Sequence, residues 1–305
     1  MPAAVSHFVT AQDGLELHVR AYGARSDSRL PVICLPGLAR TGADFERLAR
    51  ALSDTPANAR SVFAVDSRGR GRSDRDPDPA NYNVGVELND VLTVMATLAI
   101  GPAVFVGTSR GGILTMLLAS VRPDLLAGAV LNDIGPVIEP QGLLRIKGYV
   151  GKLPAPASFE DAAGMLRRLF GAQFTALTAD DWTDFAHRTF EERTGKLVAS
   201  YDPALAQALA DFEIGQPSSP LWPQFDALAC VPLMVVRGEN SDLLSRDTVK
   251  AMRARRPDLQ LVEVPAQGHA PLLMEDDIIA QIAEFIVRCD RLPRQQLQDR
   301  QVTRP

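Results

Sequence analysis

The chain alternates short, continuously apolar runs with longer stretches in which apolar residues recur every three or four positions. The runs are "LPVICLPG" (30–37), "SVFAVDSRG" (61–69), "AVFVGTS" (103–109), "GAVLNDIG" (128–135), "PLMVVRGE" (232–239) and "QLVEVPAQG" (260–268). Most are apolar throughout, as strands covered on both faces must be. Between them, Phe45, Leu48, Ala49 and Leu52 stand at i, i+3, i+4 and i+7, and Leu88, Val91, Leu92, Met95 and Leu98 follow the same rhythm. Ile278, Ile279, Ile282, Phe285, Ile286 and Cys289 mark a last amphipathic helix. The opening "FVTAQDGLELHVRAYG" predicts a β-hairpin turning at Asp13-Gly14. Strand and helix alternating in this way predict an α/β fold, a mainly parallel, doubly wound sheet with helices on both faces.

The alternation stops between about Pro136 and Gln224, where the pattern predicts helices and no strands. Ser158 with Asp161, and Thr178 with Asp181, have the spacing of capping boxes. Trp182, Phe185, Ala186, Thr189 and Phe190 form an apolar stripe. The expected organisation is a core of residues 1–135 and 225–291, a helical insertion at 136–224 after the sixth strand, and a polar tail at 292–305 that frays.

Composition narrows the setting. At 305 residues, 46% hydrophobic and 23% charged, the chain reads as an ordinary globular protein. A net charge of −5 gives no reason to expect nucleic acid or an anionic membrane as partner. No apolar run approaches the ~20 residues that span a bilayer. "MPAAVSHFVTAQDG" lacks a basic start followed by an apolar stretch, so no signal peptide is expected. Cys34, Cys230 and Cys289 are widely spaced in apolar settings and read as reduced thiols of a cytoplasmic protein, not as a disulfide or metal framework.

The candidate chemistry lies in "VFVGTSRGG" (104–112). Gly107-Thr108-Ser109-Arg110-Gly111 fits G-x-S-x-G, where a sharp strand-to-helix turn exposes a serine at the carboxyl end of a strand. The N–H of Arg110 then opens a helix, where donors are unpaired and the dipole favours anions, and can form half of an oxyanion hole. A serine nucleophile needs a base and a carboxylate that orients the base. Of the four histidines, His7 and His18 lie in the hairpin and His187 in the insertion. His269, in "VPAQGHAPLL", follows the last strand and faces the same sheet edge as Ser109. Asp242, in "VVRGENSDLLS", follows the preceding strand and is the expected acid.

The order Ser109, Asp242, His269 on these loops resembles the α/β-hydrolase superfamily, over about residues 8–290. "CLPGLAR" is similar to the family's His-Gly-x oxyanion loop, with Pro36 in place of histidine, and the resemblance makes the Leu38 N–H the second oxyanion donor. "VDSRGRGRSD" (65–74) resembles the family's Asp-x-Arg-Gly-x-Gly-x-Ser turn; its spacing misses a phosphate-binding G-x-G-x-x-G, and it reads as a structural turn. The insertion stands where the family carries a helical cap. Some relatives place the acid after the preceding strand, which makes Asp133 of "LNDIG" the alternative acid. Position 109 as serine disfavours the relatives that use an aspartate nucleophile. The Arg110 side chain is expected to pack against a carboxylate such as Asp133.

What the resemblance implies is a serine hydrolase acting on a small-molecule carboxylic ester or lactone through an acyl-enzyme, with no cofactor or metal. Cleavage of a C–C bond in a diketone-like ring-cleavage product is the alternative chemistry, and cofactor-free perhydrolysis or haloperoxidation a further one. A non-catalytic ligand receptor on the same fold is the alternative of another class. Tyr149, Phe159, Phe170, Phe174, Trp182 and Trp222 are expected mainly in the core of the insertion, and Arg145, Lys147, Arg167 and Arg168 on its solvated face.

Overall fold

The computed structural model describes residues 4–54, 59–210 and 219–291. The predicted tail therefore lies outside the described residues, as does the stretch 211–218 of the insertion. In chain order the elements are β1 (Val5–Thr10), β2 (Glu16–Tyr22), β3 (Val32–Leu35), α1 (Glu46–Asp54), β4 (Val62–Val65), α2 (Val84–Thr97), β5 (Ala103–Thr108), α3 (Arg110–Val121) and β6 (Leu126–Asn132). Then come α4 (Pro140–Tyr149), α5 (Phe159–Phe170), α6 (Ala179–Thr189), β7 (Phe190–Arg193) and β8 (Lys196–Ala199). Last are α7 (Trp222–Ala227), β9 (Leu233–Gly238), α8 (Arg246–Arg255), β10 (Gln260–Val264) and α9 (Asp276–Asp290).

Eight strands form one sheet in the order β1-β2-β4-β3-β5-β6-β9-β10. β1 and β2 pair antiparallel, β2 pairs antiparallel with β4, and every later pairing is parallel. The parallel strands are apolar without alternation because both faces are covered. Ile33, Phe105, Leu131 and Val235 pack into one buried cluster, and Cys34, Val104, Val130 and Val236 into the cluster on the other face. After β3 the chain moves to one side to make β4; after β5 it moves to the other side. The loops leaving β3 and β5 thus diverge at the carboxyl edge, and open α/β sheets bind ligands in the crevice at such a switch point.

The sequence expectation of an insertion without strands is corrected. Between β6 and β9, the helices α4, α5 and α6 are followed by a short antiparallel hairpin, Phe190–Arg193 with Lys196–Ala199. Its turn is Thr194-Gly195, both with positive φ, and four-residue strands this short carry little periodic signal. Both caps fall at the expected residues, but only Thr178 with Asp181 closes the reciprocal box. Ser158 Oγ accepts from Asp161 N–H. All five residues of the apolar stripe, Trp182, Phe185, Ala186, Thr189 and Phe190, are buried.

The 65–74 segment is a structural turn. Asp66 Oδ1 accepts the Gly42 N–H at 2.7 Å, and its Oδ2 accepts the Arg72 N–H at 3.1 Å and faces His18 Nδ1 at 2.7 Å. A buried carboxylate this fully bonded fixes the chain path around it. Cys34 and Cys289 are buried and Cys230 half-buried, and all three are free thiols. Among the described residues no helix is long and apolar enough to cross a membrane, and no group of His, Cys, Asp and Glu could hold a metal ion.

Candidate active site

Ser109 stands between β5 and α3 at φ 51°, ψ −112°, in the sparsely populated positive-φ half of backbone space. Its neighbours must be small because strand and helix nearly touch. A Cβ on Gly107 would lie 2.5 Å from the Gly111 backbone, and one on Gly111 would lie 2.0 Å from Leu35 O. Neither contact involves a flexible side chain that could move aside. Gly111→Ala is therefore expected to destabilise the protein by about 3 kcal/mol or more, read as a large drop in Tm or loss of soluble protein. A variant with wild-type Tm would mean that the elbow is looser than described.

His269 follows β10 and brings Nε2 to 2.9 Å from Ser109 Oγ. Its Nδ1 lies 2.8 Å from Oδ2 of Asp133, which follows β6. The Asp133 side chain is fully buried and the His269 ring nearly so. Asp133 itself has φ 55°. Its two oxygens accept three hydrogen bonds: Gly238 N–H donates to Oδ1 at 2.8 Å, while Ser241 Oγ–H (2.6 Å) and the imidazole meet at Oδ2. The Ser241 Oγ also accepts from Leu244 N–H at 3.1 Å, which directs its proton to Asp133. One further side chain ties the elbow to the histidine loop, since Asn132 Nδ2 donates to Thr108 Oγ1 at 3.0 Å and to Pro271 O at 2.9 Å.

The expected partnership of Asp242 with His269 is corrected. Both Asp242 oxygens are taken by Arg145 of α4, which donates from Nε at 2.7 Å and Nη2 at 2.8 Å. Burial works to raise the Asp242 carboxyl, and the Arg145 hydrogen bonds overcome it and hold the group below the usual carboxylate range. Asp242 is thus an anchor between the β9–α8 loop and α4; the Asp242 carbonyl also accepts the Gly142 N–H at 3.1 Å. Asp133, the alternative acid of the sequence reading, is the carboxylate on the imidazole.

Arg110 opens α3, so its N–H has no acceptor inside the helix. Its side chain does pack against a carboxylate, but that carboxylate is Glu87 and not Asp133: Nε donates to Glu87 Oε2 at 2.6 Å. Glu87 escaped the sequence reading. It sits one residue before Leu88 on the buried stripe of α2, and a carboxylate there is the kind of signal that marks an interior ion pair.

Ser109, His269, Gly37 and Leu38 line a cavity of about 90 Å³ between the sheet edge and the segment joining β6 to β9. That segment contributes Ile146, Tyr149, Leu153, Leu166, Phe170, Phe174 and Phe185 among others. Three of the six aromatics singled out in the sequence, Tyr149, Phe170 and Phe174, therefore reach the cavity wall. Of the others, Trp182 and Phe159 pack within the segment, and Trp222 stacks with Arg255 at 4.4 Å. Arg40 and Asp44, two charged residues of the wall, neutralise each other through a two-pronged ion pair. His187 is exposed on α6 and stacks on Phe159 with ring centroids 3.8 Å apart, outside the cavity lining.

An eight-stranded, mainly parallel sheet with a serine elbow, a histidine and an aspartate at its carboxyl edge defines the class. The sequence profile of the alpha/beta hydrolase family matches residues 32–282, and the chain belongs to that family. It is 33% identical over 287 residues to a 3-hydroxybutyrate-oligomer hydrolase of Cupriavidus necator, spanning 91% of this chain and 96% of that one. It is 31% identical over 235 residues to a 2-(acetamidomethylene)succinate hydrolase of Mesorhizobium japonicum, spanning 76% and 79%. The crystal structure of an α/β hydrolase from Novosphingobium aromaticivorans superposes with a TM-score of 0.87 at 40% identity, covering 94% of this chain and 99% of that one.

Proposed function

We propose that the protein hydrolyses a small-molecule carboxylic ester or lactone through an acyl-Ser109 intermediate. The observation that carries this reading is the unbroken hydrogen-bonded series from Ser109 Oγ through the imidazole of His269 to Asp133. Nε2 accepts the serine proton as Oγ attacks the carbonyl carbon, and Asp133 holds the proton on Nδ1 and balances the imidazolium charge. The N–H groups of Leu38 and Arg110 receive the oxyanion. His269 then returns the proton to the leaving alcohol as the C–O bond breaks. In the second half a water molecule, deprotonated by the same nitrogen, attacks the acyl carbon and releases the acid and free Ser109.

The cavity favours an uncharged group, because its wall is aromatic and aliphatic and Arg40 and Asp44 cancel. Similarity to a 3-hydroxybutyrate-oligomer hydrolase supports short hydroxyacid oligomers within that class. The segment 136–224 acts in this reading as a lid that excludes water and selects substrate while the core supplies the chemistry. His187, exposed and outside the cavity wall, has no part in proton transfer.

A fluorophosphonate probe is expected to label Ser109 stoichiometrically, and p-nitrophenyl esters of short acids to turn over. Labelling with no ester turnover but with cleavage of a vinylogous diketone would replace ester by C–C hydrolysis. Neither labelling nor turnover would leave only a ligand receptor.

A further inference from the structure

The two peptide N–H groups that receive the oxyanion come from different parts of the chain. Leu38 lies on the loop after β3, and Arg110 opens α3 after β5. The loops lie close together, since a Cβ added to Gly37 would stand 3.7 Å from Ser109 Cβ. Yet contact of small groups does not by itself fix the angle of two peptides to the tolerance an oxyanion demands. A buried set of hydrogen bonds lies beneath both loops.

The Arg70 Nε donates to the carbonyl oxygen of Leu38 at 2.8 Å, and its Nη1 donates to Glu87 Oε1 at 2.7 Å. The other oxygen of Glu87, Oε2, accepts Arg110 Nε at 2.6 Å. Arg110 Nη2 donates in turn to Tyr82 O at 3.0 Å. One buried carboxylate therefore joins the guanidinium that grips the Leu38 backbone to the guanidinium of Arg110 itself. The Glu87 and Arg70 side chains are each 1% exposed, and the Arg110 side chain 14%. Burial works to raise the Glu87 carboxyl, and the two guanidiniums outweigh it and hold the group below the usual carboxylate range. An ion triad this short and this deeply buried is rigid, because loosening either arm strands a buried charge.

The turn that carries Arg70 also meets the β6–β9 segment. Gly71 N–H donates to Ser200 O at 2.7 Å and Asp202 N–H to Gly69 O at 2.7 Å. Tyr82, whose carbonyl holds Arg110, donates its hydroxyl to Asp202 Oδ2 at 2.7 Å. The residues flanking the triad are thereby fixed from both the sheet and the segment above it.

We infer that Glu87 is a positioning residue for the oxyanion hole, setting the chain at Leu38 and Arg110 relative to each other by holding Arg70, which binds the Leu38 carbonyl one peptide along from the donor N–H, and the side chain of Arg110. The inference rests on the serine-hydrolase reading given above. Glu87 touches no substrate and moves no proton; its effect is on how well two N–H groups meet the charge that develops on the carbonyl oxygen.

The test compares an oxoester with the matched thionoester in wild type and Glu87→Gln. The substitution keeps the shape of the side chain but leaves it one acceptor oxygen, so one guanidinium loses its partner. A thionoester puts the developing charge on a larger sulfur atom, which a hole shaped for oxygen accommodates poorly, and the rate ratio of the two substrates reads the hole directly. Removing one oxyanion donor outright costs roughly 10²–10³ in kcat. Displaced donors should cost less, so Glu87→Gln is expected to lose about 10- to 100-fold in kcat with KM changed less than about threefold. Its oxoester/thionoester ratio should fall by a similar factor. The ratio is independent of the fraction of folded enzyme, because both substrates are read by the same active molecules. If Glu87→Gln is insoluble, Arg110→Gln supplies the second arm: it keeps the 110 peptide and leaves Glu87 paired with Arg70, and should shift the ratio in the same direction by less. A lowered Tm or kcat with an unchanged ratio in both variants would overturn the inference and leave a purely structural ion triad. Wild type that neither labels nor cleaves esters would instead defeat the hydrolase reading.

Discussion

Ser109→Ala is expected to lower kcat on a p-nitrophenyl ester by roughly 10⁴–10⁶ while leaving Tm near that of the wild type. The fold should tolerate the change. The backbone at 109 stands at φ 51° in a turn where strand and helix nearly touch, and alanine is no larger than serine at Cβ. What disappears is the proposed nucleophile and its hydrogen bond to the imidazole; what remains is the cavity and the two N–H groups proposed to receive the oxyanion. Fluorophosphonate labelling should vanish with turnover. His187→Ala, as a control, should stay within about tenfold of wild type in single-turnover acylation, since it removes no group from the Ser109–His269–Asp133 series. Near-normal turnover in Ser109→Ala, or acylation lost in His187→Ala, would mean that the chemistry is elsewhere.

Asp133→Asn should cost roughly 10⁴ in kcat, and Asp242→Asn no more than about tenfold. The argument is one of proton direction. As a carboxylate, Asp133 only accepts, so Oδ2 holds the histidine tautomer with its proton on Nδ1 and leaves Nε2 free to take the serine proton. An amide nitrogen in that place can donate to Nδ1 and stabilise the opposite tautomer, which cannot act as base. Asp242 faces Arg145 with both oxygens, so its amide loosens the link between α4 and the β9–α8 loop and not the imidazole. That link adjoins Ser241, which bonds Asp133, so a modest effect on kcat is consistent with the geometry. Steady-state kinetics of the two variants side by side decide the matter. Should Asp242→Asn be the more damaging change, the carboxylate that serves the histidine in solution is not the one seen here.

The strands and helices of the core, the serine elbow and the histidine loop are all legible in the chain alone, because each is written locally. Continuous apolar runs such as "AVFVG" suit strands buried on both faces, and a serine flanked by Gly107 and Gly111 marks a place where strand and helix come within contact distance. His269 stands out by its loop, because it alone of the four histidines follows a strand of the parallel sheet. The acid is not written in this way. Asp133 and Asp242 both lie in loops that follow apolar strands, two strands and one strand from the β10 edge that carries the histidine. What separates them is that Arg145, 97 positions away in sequence from Asp242, arrives on α4 and takes both of its oxygens, while Gly238 N–H and the Ser241 hydroxyl close around Asp133. The same holds for Glu87, whose partners Arg70 and Arg110 come from other elements, and for the β7–β8 hairpin, whose strands are too short to show a period. Local sequence sets where a backbone turns and which face is buried. Which charges meet in the interior depends on contacts between distant segments, and those exist only once the chain has folded.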